Sequence, residues 1–461
     1  SGYNNVAIGY PCLYHNTTGF SNVAMGHQSL LNGGSRNVAL GYQCLYYNTS
    51  SNNTAIGYQC SHFNSSGQYN TAIGLHSLRS NTSGASNVSI GFECLRGESL
   101  YTGTDANVAI GYQCGRFVGS EAENNVLIGY QCAKAATGTG EFVGENNTYI
   151  GYQCGLLNIG GSENVAIGTN CLDSNTTGNQ NVAIGKECLQ SNVTGSFNVS
   201  MGYQSLHSNT ASNNTAIGYK CSYFNSSGQY NTAIGYKCLE GETDAYTGTN
   251  FNVAIGYQCG QFVGNNATNN VLIGYECAKA ATGAGEFTGG NNTCIGWEAG
   301  PPSVYGADVT VHNSVYLGND SITALYCNVS SISSLSDERV KRDVQDSTLG
   351  LLFINKLRPV KYKRLNPADY PEPLLEKRFQ GDAPEDRPED DDKRYHGLIA
   401  QEVEQTLIDM NESWSGHSVN ESDGKHGIQY GALVVPLIKA VQELTSENAG
   451  IKARLEALEN K

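Results

Sequence analysis

From Ser1 to about residue 300 the chain repeats one short alternation of apolar and small residues, bounded each time by Asn, Thr, Ser and Gly. In the first copy Val6, Ile8 and Tyr10 alternate with the small residues Ala7 and Gly9, the two-residue period of a strand. The core N-[VT]-A-I-G-Y-Q-C returns as NNVAIGYPC, RNVALGYQC, NNTAIGYQC, ANVAIGYQC and NNVLIGYQC, ending at NNTCIGWEA. Its glycine marks 17 copies, from Gly9 to Gly296, spaced 15 to 22 residues apart. Length changes fall mostly in turn-forming stretches such as NTTG, NTSG and NSSG.

A strand of about five residues cannot bury a face alone, so the copies must stack on one another as a continuous parallel β-solenoid. At roughly 4.8 Å per coil, the copies predict a rod of about 80 Å. The stretch VHNSVYLGNDSITALYCNV (Val311 to Val329) continues in strand-like alternation.

The pattern breaks at SSLSDERVKRDV (Ser333 to Val344). Ser1 to Leu335 carries 9 Lys/Arg and 18 Asp/Glu, whereas the shorter Ser336 to Lys461 carries 18 and 24. That shift marks a domain boundary. Both parts are net acidic, which disfavours binding to nucleic acid phosphate. No run of about 20 apolar residues is present, so no helix is expected to insert in a membrane. Because Ser1 enters directly into a repeat, an N-terminal attachment to a virion or cell structure is expected upstream.

Thirteen of the 15 cysteines, Cys12 to Cys277, sit three residues after a repeat glycine, and Ser29, Ser77, Ser205 and Ala299 fill the other coils. Stacking brings neighbouring Cα atoms within disulfide range but points their side chains the same way. Buried reduced thiols are the favoured reading, with some disulfides as the alternative; no C-x-x-C spacing speaks for a metal, and no cofactor is expected. The N-x-[ST] sequons at Asn16, Asn48, Asn64 and Asn225 read as turn chemistry before glycan sites. Aromatic residues follow most repeat glycines, a row that either packs or stacks on sugars. ATGTGEFVGENN (Ala136 to Asn147) and its relative ATGAGEFTGGNN lack phosphate-loop context and read as long inter-coil loops, possible knobs on the rod.

Taken alone, Ser336 with Asp337 and Glu338 is a helix N-terminus. Near the end of the chain Tyr430, Val434, Leu437, Val441, Leu444, Asn448, Ile451, Leu455 and Leu458 alternate spacings of four and three, a heptad seam that predicts a coiled coil over about 430–461. Asn448, its one polar member, is a device for fixing register and oligomer number. QGDAPEDRPEDDDKR (Gln380 to Arg394) is acidic, interrupted by proline and without periodicity, which predicts a solvated loop.

Two resemblances sharpen these readings. The N-[VT]-A-I-G core over nearly all of residues 1–300 resembles the head repeat of YadA-like trimeric adhesins, which implies a left-handed β-roll in a three-chain bundle. The order SDERVK, L-x-x-L-x-P-V-x-Y, GLIAQEV and the terminal Y-x-x-L helix resembles the intramolecular chaperone domain of endosialidases and phage tail spikes, the peptidase S74 family. This implies a trimerising chaperone that folds the upstream fibre and is released by self-cleavage between Leu335 and Ser336. It carries Ser336 over as nucleophile and Lys341 as its general base; Asp337, Arg339 and His396 are candidates for support.

The expected fold is therefore mainly β: a parallel β-solenoid over 1–300, a β connector over 301–335, and a small α+β chaperone over 336–461 ending in the trimeric coiled coil. The expected function is a homotrimeric phage tail fibre, or a bacterial surface adhesin, that attaches to a host-surface glycan. A passive stalk is the structural alternative. A polysaccharide depolymerase is disfavoured because the repeats hold no consistent carboxylate pair.

Overall fold

In the computed structural model every repeat contributes one strand to a single 18-stranded sheet, from β1 (Val6–Ile8) to β18 (Val315–Leu317). The structure describes residues 2–97, 103–135, 140–241, 249–265, 267–279, 287–300, 310–319, 322, 341–365, 394–419 and 426–460. Each strand pairs in parallel with its sequence neighbours, repeat position on repeat position: Val165 lies on Val182, Ala166 on Ala183 and Gly168 on Gly185. Within the described residues the chain divides into this solenoid and a C-terminal unit.

The small residue of each triplet faces inward. Ala24, Ala39, Ala55, Ala166 and Ala183 are fully buried, while the flanking Val or Thr and Ile stay half-exposed on the outside. The single chain thus has a thin core of Ala, Cys and Leu, and the Val and Ile of its strands form an outward column. The repeat glycine is required by contact between rungs. Gly168 has φ +134°, and a Cβ there would stand 1.7 Å from the Gly185 carbonyl oxygen.

A buried asparagine column runs beside the sheet. The Asn70 backbone N–H donates to Asn53 Oδ1 at 2.9 Å, and Asn53 Nδ2 donates to the Gly67 carbonyl at 2.9 Å; other coils repeat both bonds. The arrangement satisfies turn backbone that would otherwise be buried unpaired. A second column contains the sequon residues Asn48, Asn64 and Asn225, all buried. Their amides donate to carbonyls of the solenoid turns, so the turn reading of those sequons holds.

Two expectations need revision. The sheet does not stop at residue 300: β17 (Thr293–Ile295) carries β18 on it in register, Thr293 on Val315 and Ile295 on Leu317. HNSVYLG lacks the Ala-Ile pair but keeps the alternation, and this suffices for one more rung. The glycine-rich insertions are not simply exposed knobs either. Among their described residues Phe142 and Phe287 are buried, and they bridge to Val118 and Val263 as short strand extensions.

The C-terminal unit is α+β. Helix α1 (Leu351–Lys356) leads into β19 (Val360–Tyr362), which pairs antiparallel with β20 (Tyr395–Gly397). Helix α2 (Ala400–Met410) follows, then the hairpin β21 (His417–Val419) and β22 (His426–Ile428), a 3₁₀ turn at Tyr430–Leu433, and the long helix α3 (Val434–Glu459). Leu349 and Phe353 pack on Val403 and Leu407, with Trp414 edge-on to Phe353 at 5.8 Å.

Candidate functional site

Leu335, Ser336, Asp337 and Arg339 lie outside the described residues, as does nearly all of Gln380 to Arg394. Lys341 is described and exposed, with exposed Arg342 beside it. Eight residues on, Leu349 enters the core and anchors the chain at the start of α1. His396 sits exposed in the middle of β20, opposite Lys361. Lysine acts as a general base only when burial or neighbouring cations weaken its hold on the proton.

The helices around this segment are held by non-local bonds. Helix α1 has no local side-chain cap; instead Glu443 of α3 accepts the Leu351 N–H at 2.7 Å, which satisfies an orphan donor at the positive end of the helix. Arg358, just past α1, makes a two-point ion pair with Glu402 in the first turn of α2, and that hydrogen-bonded guanidinium holds the Glu402 carboxyl below the usual range. Tyr430 Oη accepts the Leu398 N–H at 2.8 Å. The 3₁₀ turn therefore ties Tyr430 to the strand that carries His396, and the regular helix begins only at Val434. Pro436 falls in its first turn, where proline is tolerated.

Helix α3 has two unequal faces. Pro436 and Ala440 are buried, on the side from which Glu443 reaches α1. Leu437, Val441, Leu444, Ile451, Leu455 and Leu458 are exposed, each by 45% or more. Together these side chains form one exposed apolar stripe along the helix.

On the solenoid the aromatic row is a set of stacked rings. Phe92, Tyr112, Tyr130 and Tyr152 follow one another at 5.0 to 5.1 Å between centroids, planes within 7°. Tyr203, Tyr219, Tyr236, Tyr257, Tyr275 and Trp297 form a longer column. The ring edges remain exposed, Tyr112 by 39% and Trp297 by 58%.

The cysteines form a ladder of free thiols. Cys94 Sγ donates toward the carbonyls of Ile90 in its own coil (3.5 Å) and Gly111 in the next (3.2 Å). Ser205 makes the equivalent pair, to Met201 and Gly218, each at 3.0 Å. The slot thus takes a small donor, which explains why serine substitutes for cysteine there. Burial pushes the Cys44 thiol up to about 11, so that thiol is protonated at neutral pH and a poor nucleophile.

One cluster was not visible in the sequence. Glu404 of α2, His417 of β21 and His426 of β22 bring a carboxylate oxygen and two ring nitrogens within 4.8 Å of one another. The residues are 13 and 9 positions apart, and only the hairpin folding back on α2 joins them.

Residues 336–411 match the family model described as chaperone of endosialidase, peptidase S74. No match was found among curated proteins or solved structures. The matched region is thus similar to that chaperone family, and the β-solenoid lies upstream of it.

Proposed function

We propose that the chain is one third of a homotrimeric tail fibre that binds a host-surface glycan, and that its C-terminal domain aligns three chains and then cuts itself off between Leu335 and Ser336. One observation carries the reading: the family match begins at Ser336, the residue on the far side of the proposed scissile bond, and a β-solenoid lies upstream of it. Two apolar surfaces support three-chain assembly. They are the outward Val/Thr and Ile column of the solenoid and the exposed seam of α3. Stacked coils are so alike that chains could pair out of register, and a C-terminal trimer sets the register before the solenoid faces close.

In the proposed reaction Lys341 Nζ takes the Ser336 hydroxyl proton as Oγ attacks the Leu335 carbonyl carbon. The Leu335–Ser336 C–N bond breaks, the Ser336 nitrogen takes up a proton, and an ester remains on Oγ. Water then hydrolyses the ester to a Leu335 carboxylate and a free Ser336. Asp337, Arg339 and His396 are the candidate supporting groups in this reading. The fibre acts outside the cell as part of a virion and meets its glycan through side chains and loops repeated along the rod.

Expression of the full chain tests the cleavage: it should give two fragments, the smaller of 126 residues, with Ser336→Ala leaving a single band that still trimerises. Cleavage that persists in Ser336→Ala overturns the dyad. A glycan array on the cleaved fibre tests attachment; no glycan bound, with the trimer intact, would make the rod a passive stalk.

A further inference from the structure

We propose that Glu404, His417 and His426 form a site for one divalent transition-metal ion, zinc by ligand preference, which fastens the β21–β22 hairpin to α2. The proposal does not depend on the cleavage chemistry.

The hairpin pairs His417 with Ile428 and Val419 with His426. Residues opposite one another share a face, so both histidines lie on the same side as Ile428, which packs on the core built around Val403 and Leu407. The two rings are diagonal neighbours on the face turned toward α2. Glu404 is next to Val403 on the helix, at the border between core and solvent. The histidine Nε2 and Nδ1 atoms are 3.3 Å apart, and His426 Nδ1 is 3.5 Å from Glu404 Oε2.

Two of the three separations already fit an ion, and the third lies within 4.8 Å. Tetrahedral zinc with bonds of about 2.0 to 2.1 Å spaces its ligand atoms about 3.3 to 3.4 Å apart. Hydrogen bonding accounts for the cluster only in part. A single proton on His426 Nδ1 can point at His417 or at Glu404, and the other lone pair then faces it unserved. A cation meets all three acceptors at once. Two imidazoles with one carboxylate suit zinc and its neighbours, whereas magnesium and calcium prefer oxygen donors. The three residues are half-buried, which leaves a fourth position for water.

The test uses the full chain, stripped with a chelator and titrated with Zn²⁺ by calorimetry and with Co²⁺ by visible absorption. The expected result is one ion per chain, tetrahedral Co²⁺ bands without thiolate charge transfer, and a rise in the unfolding temperature of the C-terminal unit on adding zinc. His426→Ala should weaken binding about 100-fold or more. If that variant loses its circular dichroism, Glu404→Gln, which preserves size on a partly exposed residue, reports instead. Absence of saturable binding at one equivalent, or unchanged affinity in a folded variant, overturns the site.

Discussion

Gly155 lies directly against the ring of Tyr149: a Cβ built on that glycine would stand 2.5 Å from the ring. Several coils put alanine at the inward strand position and leucine after the cysteine, as Ala166 and Leu172 do. In this coil the large and small residues have exchanged places. A related fit between neighbouring coils sets Leu127 against Gly115 and Leu272 against Gly260. Tyr149 is fully buried, and its hydroxyl is satisfied by Asn147 and Asn158. Gly155→Leu should therefore cost about 1–3 kcal/mol by overpacking, and Tyr149→Ala about 3–5 kcal/mol by opening a cavity. The double variant should cost clearly less than the two together, because each change makes room for the other. Chemical denaturation of the four proteins measures this coupling; strict additivity would show that the exchange is not compensatory.

That pairing also shows where sequence reading stops. Strand positions, parallel stacking and glycine-on-glycine register were legible because each coil repeats the same local pattern. Alternation alone does not say which face is inside, and only the stacked coils show that the small Ala position turns inward while Val and Ile stay out. Tyr149 then looks like an aromatic exception until Gly155 is beside it. In the C-terminal unit SDERVK and GLIAQEV were legible as motifs. The Glu443 cap on α1 and the Glu404, His417 and His426 cluster were not, because each joins residues distant in sequence through tertiary folding.

A methyl group on the repeat glycine should be poorly tolerated. Gly168→Ala places a carbon where the Gly185 carbonyl already is, at a positive φ that alanine also disfavours. Loss of about 2–4 kcal/mol is expected, with amide exchange accelerated in the rungs on either side. Gly160→Ala is the control, since nothing lies within 4 Å of its Cβ position, and it should be near neutral. Equal effects at both sites would remove the steric account of the repeat glycine.

The thiol ladder predicts both silence and a pH limit. Thirteen cysteines are buried and should resist an alkylating reagent in the native protein, then react once denaturant is added. Cys44→Ser should be tolerated within about 1 kcal/mol, because Ser205 already makes the same contacts. Burial raises the Cys44 thiol from 9.0 to about 11, so the unfolded chain loses its proton first. Below about pH 9 this thiol does not change stability with pH; from there toward pH 11 it lowers stability, as the unfolded state binds fewer protons than the folded one. Urea midpoints between pH 8 and 10.5 check the sign, and a midpoint that rises with pH contradicts it.

Cleavage should wait for assembly. Lys341 is exposed in the single chain, and an ammonium in water is a poor base; packing against neighbouring chains is what can take it out of solvent. In the proposed trimer the exposed α3 seam brings those chains together. Replacing Leu444 and Leu455 with Asp puts charges into that seam while leaving Ala440, buried on the other face, untouched. Such a protein should be monomeric by light scattering and should remain one band on a gel, although Ser336 and Lys341 are both present. Lys341→Ala should instead trimerise normally and cleave about 10² to 10⁴ times more slowly, the usual worth of a positioned base. Asn448→Leu should keep cleavage, raise the stability of the assembled helix and broaden its oligomer distribution, since the polar seam residue restricts register at a cost in stability. A monomeric seam variant that still cuts at the wild-type rate would place the whole reaction within one chain and separate the scissors from the clamp.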